Sequence, residues 1–137
     1  MAILNAGGFT LELKFFHHRE TIEFKNYITD TTVRISVSDL DYSGITEFAI
    51  SCEECVNFIK SLTELFGNLN TGVTGISDYE PDENNLYFQS DGLGHFNVSG
   101  VFNNWGDWTL KFEKELDQSY FKNFIKQLNC ELAEFEN

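Results

Sequence analysis

The chain has 137 residues, with 22 Asp or Glu against 9 Lys or Arg and a net charge of −13. That balance excludes direct nucleic-acid binding, which needs a basic face against phosphate, and no apolar run approaches the ~20 residues that span a bilayer. Hydrophobic content is 42%, with 14 Phe, so a core can form without disulfide staples and a single domain over residues 1–137 is expected.

The opening residues, Met1 to Gly8, lack a basic segment and a full apolar core. No signal peptide is expected there, and the protein is placed in the cytosol. Phe9, Leu11, Leu13 and Phe15 then alternate with polar residues as a first strand. His17-His18-Arg19-Glu20 reads as a turn, and Thr21 to Lys25 as the returning strand of a hairpin. A third strand spans Thr31 to Ser38, with Val33, Ile35 and Val37 on one face. A fourth spans Gly44 to Ile50.

Ser51-Cys52-Glu53-Glu54 is a capping box, so a helix should run from Cys52 to about Phe66. Cys55, Val56, Ile59, Leu62 and Phe66 make its buried stripe, and Gly67 suits the position just past its end. The spacing of Cys52 and Cys55 could serve a metal or redox site. No second such pair and no nearby His pair completes four ligands, so packing thiols are expected, with no metal and no cofactor. From Asn68 to Ser77 periodicity is lost and a loop is expected. Asp78 to Glu83 is an acidic turn, and Leu86 to Gln89 a fifth strand.

Gly94 to Phe102 alternates with Phe96, Val98 and Phe102 on one face. Asn103 to Asp107 is rich in turn residues. Trp108, Leu110 and Phe112 alternate after it, so this stretch reads as a β-hairpin. Asp117 is a good N-cap for a helix carrying Phe121, Phe124, Ile125, Leu128, Leu132 and Phe135 at helical spacing. The whole reads α+β: an antiparallel β-sheet of about seven strands with two amphipathic helices, in the order ββββαβββα. The two runs of strands, each followed by a helix, share a grammar compatible with duplication.

Charge is unevenly spread. Residues 61–110 carry Glu64, Asp78, Glu80, Asp82, Glu83, Asp91 and Asp107 and no Lys or Arg, over half of the net charge in fifty residues. Aromatic residues are interleaved: Tyr79, Tyr87 and Trp105. Aromatics beside charges in turns suit a protein-binding patch with an electrostatic rim. The candidate partner-binding residues are therefore Asp78, Tyr79, Glu80, Asp82, Glu83, Asp91, Trp105 and Asp107. No phosphate-cradling or zinc-protease motif is present. The adjacent His17 and His18 would point to opposite faces of a strand. His95 beside a carboxylate would be the centre of an alternative reading, a small enzyme; a third is an acidic interaction module. No catalytic residue is assigned.

The segment Gly94 to Gly100, and then Trp108 to Tyr120, carries a GH-x-hydrophobic strand. A Φ-x-Φ-x-x-x-x-DQ-x-Φ strand-to-helix junction follows it. In both it resembles small bacterial immunity proteins of polymorphic toxin and contact-dependent growth inhibition systems, the WapI-like group in particular. The resemblance implies a non-enzymatic inhibitor. Its partner would be the C-terminal toxin domain of a secreted protein, with this chain a monomer or weak dimer. The acidic balance suits a basic partner, such as a nuclease with a basic cleft.

Overall fold

The computed structural model describes residues 1–24, 27–68, 70–103 and 108–136. Strands β1 (Ala2–Ala6), β2 (Phe9–Phe24), β3 (Tyr27–Ser38) and β4 (Ser43–Ile50) pair antiparallel in chain order as one sheet. Period-two alternation sends Leu4, Leu11, Leu13, Val33, Ile35 and Phe48 into the core. The helix α1 (Cys52–Asn68) follows, and Ser51 Oγ accepts the Glu54 N–H at 3.1 Å as its cap. The second half repeats the plan. Strands β5 (Thr71–Ser77), β6 (Asn84–Asp91), β7 (His95–Asn103) and β8 (Thr109–Asp117) form a second antiparallel sheet in chain order, and α2 (Lys122–Glu136) closes the chain.

The α+β class holds, but its arrangement differs from the expectation at several points. The strands form two sheets of four, in the order ββββαββββα, rather than one sheet of about seven. The opening residues are a strand, β1. The 68–77 stretch contains β5 rather than being loop throughout. His17 to Glu20 is not a turn: β2 runs through it, and its register with β3 shifts between His17 and Ile22. A polar run is compatible with a strand there because that part of the hairpin is largely solvent-facing, so pairing and not burial sets the conformation. Gly67 lies inside α1 rather than past its end. Asp117 caps a short 3-10 turn, Gln118–Tyr120, by accepting the Ser119 N–H at 2.9 Å, and α2 begins only at Lys122. Phe121, Phe124, Ile125, Leu128 and Leu132 are buried as their spacing requires, while the Phe135 side chain lies outside the described residues.

The two inner faces and both helices share one apolar core. Phe9 of the first sheet meets Phe112 of the second at 6.4 Å between ring centres. Phe88, at the middle of β6, has the rings of Phe58 on α1, Phe121 before α2 and Phe124 on α2 within 5.9–6.1 Å. Gly100 on β7 leaves the space that the Phe112 ring fills: a Cβ there would lie 2.6 Å from it. The helices cross over between the halves. α1 packs on β5, the edge of the second sheet, and α2 packs on β1, the edge of the first. Gln127 of α2 accepts the Ile3 N–H of β1 at 2.7 Å, and Asn129 of α2 donates to Thr63 of α1 at 3.0 Å.

Candidate partner-binding surface

The acidic turn joins β5 to β6. Pro81 presets its φ angle at the second position of a four-residue turn, closed by the Glu83 N–H donating to the Glu80 carbonyl at 3.0 Å. Asp78 does not face outward freely. One of its carboxylate oxygens accepts the Tyr79 N–H at 2.7 Å and the other accepts the Asn84 side-chain amide at 3.2 Å. Asn84 is buried, and its Oδ1 also accepts the Thr46 hydroxyl at 2.6 Å and the Asn103 N–H at 3.0 Å. One amide thus ties the turn to β4 of the first sheet and to the end of β7. Unsatisfied in the core, such a group would be strongly destabilising; saturated, it fixes the turn. Glu80, Asp82 and Glu83 are exposed on the turn, with Tyr79 81% exposed beside them.

Asp91 stands at the other end of β6, eight residues long, so about 23 Å of strand separates it from the turn. The candidate acids therefore do not converge on one patch. Trp105 and Asp107 lie outside the described residues. Asp91 belongs to a different group. Its Oδ1 accepts the backbone N–H groups of Leu93 and His95 at 2.7 and 3.1 Å, and its Oδ2 meets His95 Nδ1 at 3.0 Å. These bonds organise the turn whose Gly92 and Gly94 have positive φ. Across β7 and β8, His95, Asn97 and Ser99 register with Asp117, Glu115 and Glu113, and Asn97 donates to Glu113 at 2.9 Å. Glu113, Glu115 and Asp117 thus add an acidic row beside Asp91 that the sequence reading passed over. Their period of two was visible, but the same alternation was read only for its apolar positions.

The Asp91–His95 pair has a carboxylate beside an imidazole, as the enzyme reading requires. Both side chains are about half exposed, on an outer sheet surface. The bond to Asp91 and its charge raise the His95 pKa above the ordinary 6.5. The Leu93 N–H, followed by the bonds from His95, lowers that of Asp91 below 3.8. By linkage, the His95 contribution to stability is full below pH 6.5 and is lost as pH rises through its raised pKa. The Asp91 contribution is present above 3.8 and is lost as pH falls through its depressed one. An NMR titration of the His95 ring should therefore give a midpoint above 6.5. Asp91→Asn should bring it back toward 6.5, and a midpoint unmoved by that change would break the pairing argument.

The cysteines are free. Cys55 is buried in the core, and burial pushes its thiol pKa well up, away from the thiolate that reacts. Among the described residues, no group of three or more His, Cys, Asp or Glu could hold a metal ion, and no helix is long and apolar enough to cross a membrane.

A family model described as the immunity protein WapI-like family matches residues 2–136. No curated protein matches the chain.

Proposed function

Because the chain belongs to the WapI-like immunity protein family, we propose that it binds a cognate secreted toxin domain and neutralises it by occlusion, without chemistry of its own. The family match over nearly the whole chain carries this reading. Toxin neutralisation is the general role the family implies. The finer reading is that the toxin is basic, probed first as a nuclease, and is met by the acidic turn. Glu80, Asp82 and Glu83 give the exposed turn its negative charge, and Tyr79 adds an exposed aromatic ring. An acidic surface raises the encounter rate with a basic cleft and competes with its phosphate substrate. Asp78 takes part by shaping the turn. Asp91, Trp105 and Asp107 remain candidate contacts, Asp91 on a separate patch. We place the complex in the cytosol, between this chain, as a monomer or weak dimer, and the toxin domain.

Co-expression tests the reading. The cognate toxin is sought in the gene next to this chain's own, and the C-terminal domain of a large secreted protein found there should arrest growth when produced alone. Production of this chain in the same cells should restore growth, and the two should purify together in equal amounts. Arrest that persists with both proteins present at similar levels would sink the proposal.

A further inference from the structure

We propose that a groove between the outer face of the first sheet and Trp108 takes a basic side chain, an arginine or lysine, of the toxin; this rests on the toxin-binding reading above. The groove has a volume of about 440 Å³, and Glu12, Ser36, Ser38, Gly44, Ile45 and Trp108 line it. Three features converge there. Among the described residues none forms an ion pair with Glu12, whereas Glu47 on the same face is paired with Arg34 at 3.1 Å. The face's own cations are engaged, with Lys14 and Arg34 stacked on the Phe16 ring at 5.1 and 5.2 Å. Trp108 is 39% exposed, and its indole lies so near β4 that a Cβ at Gly44 would be 3.3 Å from it. Ile45, 51% exposed, adds an apolar wall.

A carboxylate, an aromatic face and an aliphatic wall together match one chemistry. The cation pairs with Glu12 and lies against the indole, its alkyl stem covers Ile45, and the serine hydroxyls accept its remaining N–H groups. A phosphate or an acidic peptide would meet Glu12 with like charge. Thr46, next to Ile45 but pointing to the opposite face of β4, donates to Asn84, the first residue after the acidic turn. The turn and the groove therefore lie on either side of one strand, and in this proposal the turn governs arrival and the groove residence.

The test uses the full unaltered chain, the Trp108 indole resonance being assigned by comparison with the spectrum of Trp105→Phe, since the sequence has two Trp. Titration with N-acetyl-arginine amide should move the Trp108 indole N–H resonance saturably. The uncharged citrulline analogue, and the same titration of the Glu12→Gln variant, should each show binding about tenfold weaker. No saturable movement, or the same movement with citrulline, overturns the proposal whether or not the toxin domain binds. Against the purified toxin domain, Glu12→Gln should raise the dissociation rate about tenfold with little change in association. Unchanged dissociation also overturns it. Trp108→Leu should act in the same direction, with its fold checked by the same spectrum. A toxin domain that fails to bind even the unaltered chain counts against the functional reading alone, since the arginine titration still judges the groove.

Discussion

Replacing Phe88 with alanine is expected to lower the free energy of unfolding by about 3–5 kcal/mol, the range for emptying a buried phenylalanine site. The position sets the magnitude. Phe88 is fully buried on a central strand of the second sheet. Its ring touches the cluster at three points: Phe58 from α1, Phe121 from the turn before α2, and Phe124 from α2. Removing it leaves a cavity that three separate elements would have to move to fill, and dense cores relax only partly. For a chain of this length such a loss corresponds to a melting temperature lowered by roughly 10–17 °C. Phe88→Leu, which keeps most of the volume, should lose much less, and Leu93→Ala on the exposed turn should stay within about 0.5 kcal/mol of the parent. Urea unfolding of the three variants checks the order. A Phe88→Ala midpoint close to that of Leu93→Ala would mean the ring cluster is not where the core's stability lies.

The second large effect concerns rates. Replacing Glu80 and Asp82 together with serine should slow association with the toxin domain about tenfold at low ionic strength and flatten its dependence on salt. Dissociation should change little, because exposed rim charges act on encounter more than on the docked complex. These two residues are chosen over Asp78 because Asp78 holds the Tyr79 N–H and the Asn84 amide. Its loss would disturb the turn and, through Asn84, the contact with Thr46 on the other sheet. An effect of Asp78→Ser would then mix charge with shape. Stopped-flow association at two salt concentrations separates the possibilities, and an association rate that ignores both substitutions would remove the turn from the interface.

The helices were legible because each carries a long apolar stripe, and a dozen or more residues of one period outweigh local irregularities. The two missing strands were hidden for opposite reasons. In β1, Ile3 faces outward between buried Ala2 and Leu4, so three apolar residues in a row erase the alternation. In β5, Gly72 and Gly75 dilute the pattern, and only Ile76 is buried. Its place comes from pairing with β6 and packing under α1, which are long-range contacts that no local window contains. The acidic turn was legible because Pro81 and its charged neighbours are strong local punctuation. The separation of Asp91 from that turn was not, since it follows from the length of β6 and from which end each turn caps. The groove at Trp108 was the least visible of all. Glu12 and Trp108 are ninety-six positions apart in the chain, and only the approach of β4 to the start of β8 makes them neighbours.

The crossing of the helices bears on how the chain is made. Each run of four strands is followed by a helix that reaches the edge strand of the other sheet, α1 at β5 and α2 at β1. A ribosome releases the first four strands well before the helix that shields their edge. At 5–20 residues per second, residues 69–136 take roughly 3–14 s to follow. Throughout that interval the outer edge of β1, including the Ile3 N–H that Gln127 finally accepts, is open to whatever strand diffuses past. The nascent chain is therefore at its stickiest halfway through synthesis, and the last helix to emerge is the one that ends the exposure.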